Sequence, residues 1–209
     1  MSQKGLLTVV SGFSGAGKGT LMKALLAKYA DRYALSISAT TRGPREGEQD
    51  GREYFFLKKE EFEQMIEEDA LIEHAQYVGN YYGTPKKYVM EQREAGKDVL
   101  LEIEIQGALK VKEKFPDTLL IFVTPPSAKE LESRLRGRGT ETAEVIEKRL
   151  ARAGEEAVYM DQYDYILVND DLDTSVEELH HLIQSQHARS EENREFCAQM
   201  NQELQVYRK

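Results

Sequence analysis

Nothing in this chain restricts its fold more than the nine residues GFSGAGKGT, Gly12 to Thr20. They lie just behind the apolar run LLTVV (Leu6 to Val10) and open the helical pattern TLMKALLAKY. A glycine-rich turn between a buried strand and a helix lets successive backbone N–H groups converge on an anion, and the helix N-terminus adds a favourable dipole. Gly12, Gly17 and Lys18 fit the phosphate-loop pattern G-x-x-x-x-G-K-[ST], while Gly19 stands where the pattern places a magnesium-binding hydroxyl. Thr20 lies one residue too far along to be a simple substitute. The same kind of turn also serves for tight packing alone, but the Gly-Lys pair at this spacing favours nucleotide phosphate. The expected cradle is Gly12, Phe13, Ser14, Gly15, Ala16, Gly17, Lys18, Gly19 and Thr20, with Lys18 reaching the outer phosphates.

A strand–loop–helix opening calls for an α/β fold, and the rest of the chain keeps that rhythm. Core strands are expected at Leu6 to Val10, Ala34 to Ser38, Val99 to Ile105, Leu119 to Val123 and Tyr165 to Asn169, apolar on both faces as buried parallel strands are. A helix opened by Pro85 and closed by Gly96 precedes the third of these. Two segments depart from the rhythm. Residues 39–84 are polar and aromatic, with EYFFL, EEFEQMIEED and LIEHAQYVGNYYG, which suggests a small α+β insertion. Residues 127–156 are dense in Arg, Glu and Gly and poor in core formers, as a mobile lid would be. The expected partition is a core of residues 1–38, 85–126 and 157–209, one insertion at 39–84 and a helical Arg-rich lid at 127–156. A Thr-x-x-Glu capping box, Thr174 to Glu177, is expected to open the last long helix.

Composition excludes several classes of partner. The net charge is -9, which argues against a nucleic-acid or membrane-surface binder, since such proteins recruit phosphates with a basic surplus. The single cysteine, Cys197, cannot form an internal disulfide and fits a reducing cytosol. The apolar run near the N-terminus is too short for a signal or a membrane span, so a cytoplasmic protein is expected. An Asn-Lys-x-Asp run and an Asp-x-x-Gly switch are both absent, which weakens a GTPase reading.

A second anion site is written in SISATTRGPREGEQDGREYFFL. Arg42 and Arg45 flank Gly43-Pro44, a turn that cannot be regular helix, so both guanidinium forks can be aimed at one phosphate. Here the chain resembles the guanylate kinase family of nucleoside monophosphate kinases, whose marker T-T-R-x-P-R-x-G-E is matched by Thr40 to Glu48. The likeness continues through GREYFFL, LIEHAQYVGNYYGT, LLEIEIQGA, LRGRGT and VND, covering nearly the whole chain.

The resemblance implies a three-layer P-loop fold with a parallel central sheet, in which residues 39–84 bind GMP. It implies γ-phosphate transfer from ATP to GMP, and to dGMP, with Mg²⁺, serving purine metabolism and GMP recycling. Arg42, Arg45, Tyr54 and Tyr82 would hold the GMP phosphate, and Ser38, Glu73, Thr84 and Glu104 would read guanine. Guanine offers N1–H and N2–H₂ donors beside O6, so a carboxylate with a hydroxyl suits its edge, whereas adenine would leave the carboxylate facing an acceptor.

Glu102 and Glu104, two apart on the expected third strand, would share one face at its C-terminal end. Glu102 is expected beside GMP and to engage the metal through water, since magnesium keeps several waters and leans on phosphate oxygens. The family shows Asp at both positions. Arg134, Arg138 and Arg149 would contact the triphosphate and the transferring group, with Lys18, Arg45, Arg138 and Arg149 acting in catalysis and Asn169 bordering the adenine. Arg136 and Arg152 are as well explained by surface ion pairs. The expected partners are ATP and GMP, with the chain a monomer or homodimer. A kinase for another monophosphate and a non-catalytic peptide-binding module remain as alternatives. Modules of the latter kind have a degraded phosphate loop, whereas Lys18 and the arginines are retained here.

Overall fold

A computed structural model describes residues 4–77, 79–137, 139 and 142–208. The chain alternates strand and helix to build a five-stranded parallel sheet in the order β2-β7-β1-β8-β9. These strands are β1 (Leu7–Gly12), β2 (Tyr33–Leu35), β7 (Asp98–Glu102), β8 (Leu119–Thr124) and β9 (Tyr165–Val168). The central strands are fully buried from Leu7 to Val10, Val99 to Leu101 and Leu120 to Val123, because helices cover both faces. Those helices are α1 (Lys18–Lys28), α3 (Lys86–Glu94), α4 (Ile105–Lys114) and α7 (Leu172–Gln186). β1 lies in the middle, with β7 and β2 on one side and β8 and β9 on the other. The strand order therefore reverses around β1, and ligands of open α/β sheets bind at the carboxyl ends beside such a reversal.

Three of the expected strands are shorter than their apolar runs. The second is only Tyr33–Leu35, so Ser36 to Ser38 lead away toward the insertion. β7 stops at Glu102 and α4 begins at Ile105 with Glu104 as its N-cap, so Glu102 and Glu104 do not share a strand face. The cause is the neighbour. Val10 is the last β1 residue paired with β7, opposite Glu102, and two residues later β1 turns into the loop at Gly12. The β7 chain then bends, tied by the Ser11 hydroxyl, which donates to the Ile103 carbonyl at 2.8 Å. β9 is an edge strand, so apart from the buried Leu167 its side chains remain exposed (Tyr165 36%, Ile166 40%, Val168 45%).

Between β2 and α3 lies a second sheet, β4-β3-β6-β5, made of β3 (Ala39–Thr40), β4 (Phe55–Phe56), β5 (Leu71–Tyr77) and β6 (Asn80–Pro85). Helix α2 (Lys59–Glu67) covers one face. Its Phe62 is fully buried with Ala39 and Leu71 and stacks on the Tyr81 ring at 5.3 Å. This small core is separate from the main one. Side chains alternate across a strand, so the Tyr81 ring belongs to the core face and neighbouring Tyr82 to the other.

The Arg-rich segment forms α5 (Ala128–Gly137) and α6 (Ala143–Glu156). It carries more packing than its composition suggests: Leu131, Leu135, Ile146 and Ala153 are buried in the main core. Four well-spaced apolar residues suffice for two helices, each burying one stripe. The expected capping box is also displaced. Asp171 caps α7, accepting from the Thr174 N–H at 2.9 Å and its hydroxyl at 2.7 Å, while Glu177 turns outward to Lys28 and to the Tyr29 hydroxyl. The last helix, α8 (Arg194–Leu204), buries none of its residues. Among the described residues no helix is long and apolar enough to cross a membrane.

Candidate active site

The phosphate loop occupies the carboxyl end of the central strand. Gly12 has φ +142, and a Cβ there would lie 2.0 Å from the Val123 carbonyl oxygen on β8, so only glycine lets the strand turn. Gly17 caps α1 from the left-handed region at φ +91, which aims the first free N–H groups of the helix back into the loop. Lys18 curls over the loop and donates to the carbonyls of Gly12 at 2.7 Å and Phe13 at 3.1 Å. Phe13 and Ala16 are buried beneath it, whereas Ser14, Gly19 and Thr20 face solvent. Nothing lies within 4 Å of a Cβ built on Gly19, so the missing hydroxyl is not a steric requirement of the loop.

Two contacts tie this loop to the Arg-rich helices. The Asn169 side chain, 6% exposed, donates from Nδ2 to the Ala16 carbonyl at 2.8 Å, and its own main-chain carbonyl accepts from Arg134 Nη1 at 2.8 Å. Asn169 thus braces the loop from below. Arg134 is steadied by Glu130 on its own helix at 2.8 Å. From α6, Arg149 donates to the Ser14 hydroxyl at 2.9 Å, placing that guanidinium at the loop's rim. Arg152 pairs with Glu104 across the cleft and with Glu156 on its own helix. Arg138 lies outside the described residues. Arg136 pairs with Glu132 one turn back, an ordinary surface bridge.

The second cluster gathers on the outer face of the small sheet. Thr40 on β3 donates its hydroxyl to the Tyr81 carbonyl at 2.9 Å and accepts from the Arg42 N–H at 3.2 Å, setting the direction in which the turn leaves the strand. The Arg42 guanidinium lies 5.4 Å from the Tyr54 ring centroid and 5.8 Å from that of Phe56, and Tyr54 meets Tyr82 edge to face at 6.1 Å. Its Nη1 and Nη2 donate to the two carboxylate oxygens of Glu48 at 2.9 and 3.0 Å. The bonds to Glu48, with a further bond to Tyr82, hold Arg42 above its ordinary pKa, and burial opposes them. Glu48 is correspondingly held below the usual carboxylate range, first by Arg42 and then by the Arg45 N–H, which reaches it at 2.7 Å. The structure therefore brings together Arg42, Tyr54 and Tyr82. Arg45 joins them through its main chain, with an exposed side chain.

Glu48 is a member of this cluster that residue type alone does not reveal. The signals for it are its place as the last fixed letter of the marker and its position three residues after Arg45, where a carboxylate can reach back to a turn N–H.

The residues expected to read guanine are only partly gathered. Thr84, fully buried on β6, donates its hydroxyl to Glu73 Oε1 at 2.8 Å. Burial pushes the Glu73 carboxyl up, opposed by the Thr84 bond and by the charge of Lys110. Glu73 borders a groove of about 240 Å³ with Met65, Ile66, His74 and Lys110. Ser38 is half-buried, and its carbonyl takes the Phe55 N–H at 2.9 Å. Glu104 is turned to Arg152. Glu102 is exposed at the end of β7, opposite Val10 and hence next to the root of the loop.

A magnesium ion fits this donor set. Among the described residues no three His, Cys, Asp or Glu groups are gathered, and a single carboxylate beside the loop suits a cation whose remaining ligands are phosphate oxygens and waters.

Comparison with known proteins brings these features under one family. A family model described as guanylate kinase matches residues 4–186. The guanylate kinase of Caldanaerobacter subterraneus subsp. tengcongensis is 51% identical over 203 residues, 97% of this chain and 98% of that protein. The one from Bacillus anthracis is 50% identical over 203 residues, covering 97% and 99%. Among solved structures, the guanylate kinase from Anaplasma phagocytophilum aligns over 90% of this chain and 89% of its own, with a TM-score of 0.69 and 30% identity. The SH3-kinase fragment of tight junction protein 3 shares the fold alone, at 12% identity and a TM-score of 0.50. With a lysine-bearing phosphate loop, a tyrosine-backed arginine turn and relatives matched along almost their full length, the chain belongs to the guanylate kinase family of nucleoside monophosphate kinases.

Proposed function

We propose that this protein transfers the γ-phosphate of ATP to GMP, and to dGMP, by in-line phosphoryl transfer, and so serves GMP recycling in purine nucleotide metabolism. The observation that carries this reading is the pairing of two different anion cradles, one of main-chain N–H groups with Lys18 and one built on Arg42, Tyr54 and Tyr82. Phosphoryl transfer asks little covalent chemistry of a protein, so positioning and charge carry the catalysis.

The triphosphate lies along Gly12 to Thr20, with Lys18 exchanging its loop carbonyls for phosphate oxygens. Arg149, already at Ser14, and Arg134, held by Asn169, supply positive charge along the triphosphate. Arg138 is assigned to the same task from the sequence. The GMP phosphate takes the place in front of Arg42 and the two tyrosines, and Arg45 swings in from the exposed turn. Glu73 accepts from guanine N1–H and N2–H₂, with Thr84, Ser38 and Glu104 alongside, once Glu104 exchanges its Arg152 partner. A bound magnesium, met by Glu102 through water, would neutralise charge on the phosphates. Residues 39–84 and 127–156 act as the closing parts on a core of residues 1–38, 85–126 and 157–209. Their closure excludes water that would otherwise hydrolyse ATP.

A coupled assay with ATP, Mg²⁺ and each of GMP, dGMP, AMP, UMP and CMP tests this. GMP is expected to give the highest kcat/KM, and faster turnover of AMP or UMP rejects the base assignment. No turnover of any monophosphate, with GMP still bound, would instead favour a binding module.

A further inference from the structure

We infer that Glu48 is a positioning residue for the acceptor phosphate, acting by selecting which edge of the Arg42 guanidinium is presented to it; this rests on the reading of the arginine turn as the GMP phosphate site. A guanidinium has five N–H donors arranged on two bidentate edges. In this structure the end-on edge, Nη1 with Nη2, is taken by both oxygens of Glu48 at 2.9 and 3.0 Å. The remaining Nη1 hydrogen goes to the Gly43 carbonyl at 2.7 Å. Three donors are thereby committed to the turn itself. By elimination the bond to Tyr82 falls on the other two, Nε–H and the second Nη2 hydrogen, which form the side-on edge, a bidentate fork that a phosphate would take in place of that hydroxyl.

Glu48 is more than a counter-ion to Arg42. Its carboxylate also receives the Arg45 N–H at 2.7 Å, while its own N–H donates to the Arg45 carbonyl at 3.0 Å. Those reciprocal bonds close the turn locally, so displacing Glu48 would undo the turn that carries Arg45. The carboxylate therefore stays, and the phosphate meets Arg42 edge-on beside Tyr82. Retaining one negative charge within the cradle also lowers its net charge below that of two bare arginines, which matches a single phosphate better than a chain of them.

The test uses the full-length protein with Glu48→Gln, which keeps shape and loses charge, and Glu48→Asp, which keeps charge. Thermal midpoint, KM for GMP, KM for ATP and kcat are measured for each. Glu48→Gln is expected to raise the GMP KM by about tenfold or more, as loss of a charge-assisted pair does, with the ATP KM and thermal midpoint unchanged. Glu48→Asp is expected to recover part of the loss. On an Arg42→Lys background, where no fork exists, Glu48→Gln should add little. In ¹⁵N spectra the Arg42 Nε–H resonance should move on addition of GMP in the wild type, and much less in Glu48→Gln.

A GMP KM within twofold of wild type in Glu48→Gln, or equal losses in GMP and ATP KM, overturns the inference while leaving the kinase activity standing. A wild-type chain that phosphorylates no monophosphate overturns the activity instead. Titration of the same resonance with inorganic phosphate then still decides the edge, since an Nε–H that does not move means phosphate is not received there.

Discussion

Asn169 offers the sharpest link between local packing and nucleotide capture. Its Nδ2 is the hydrogen-bond donor to the Ala16 carbonyl, and both residues are buried. Replacing Asn169 with alanine leaves that carbonyl without a partner, at a cost of about 1–3 kcal/mol. For a domain of this size each kcal/mol shifts the melting midpoint by about 2–4 °C, so a fall of roughly 2–12 °C is expected. The bond from Arg134 goes to the main-chain carbonyl of residue 169 and survives the change. Damage should therefore fall on the loop and not on Arg134, raising the KM for ATP while the KM for GMP holds. Asn169→Asp tests the donor itself: the shape persists, but an acceptor now faces the Ala16 carbonyl, so it should fare no better than alanine at neutral pH. Scanning calorimetry and steady-state kinetics on both variants check this. An Asn169→Ala protein with wild-type midpoint and ATP KM would refute the bracing role.

Other expectations follow from the same geometry. Lys18→Ala is expected to remove most turnover with the fold retained, and Arg45→Ala to raise the GMP KM; unchanged GMP kinetics would show Arg45 to be ordinary surface. Gly12→Ala would set a methyl against Val123 at positive φ and should cost about 3 kcal/mol or more by urea denaturation. Gly19→Ala meets no atom and lies in a helix, so a gain of about 0.5–1 kcal/mol is expected.

Because burial raises the Glu73 carboxyl and the proposed function has guanine bind its ionised form, GMP KM should rise as pH falls toward the upper carboxylate range, ahead of any change in ATP KM. The sign for stability is opposite. A raised folded pKa favours the fold when the group is protonated and loses that contribution as pH rises, so Glu73→Gln should flatten this dependence and stabilise the protein at neutral pH.

Much of the site is legible in sequence because its chemistry demands unusual residues close together. Three glycines and a lysine between strand and helix, and two arginines around Gly43-Pro44, have few other uses. Tertiary context is harder to read. The run Val99 to Ile105 is apolar enough to be one strand throughout, yet it ends at Glu102 because β1 bends away at Gly12, a fact about a partner roughly ninety positions distant. The Arg-rich segment looks uncommitted because four buried residues are few among its charges, and their spacing outweighs their number. Asn169 stands out after the last apolar run, but which side of the loop it serves depends on β9 lying next to β8. Glu48 closes the marker, but what it does is hidden, since a glutamate in a charged turn is commonplace until its two oxygens are seen on one fork.

The consecutive tyrosines of β6 carry a final consequence. One ring is the keel of the small sheet, stacked on Phe62, and the next borders the arginine turn. Deleting a single residue within Asn80–Thr84 would turn the side chains beyond it to the opposite face, parting the Thr84 hydroxyl from Glu73 or a tyrosine ring from Phe62. This hairpin should thus tolerate altered side chains far better than altered length, and length variants of it should lose shape and substrate capture together.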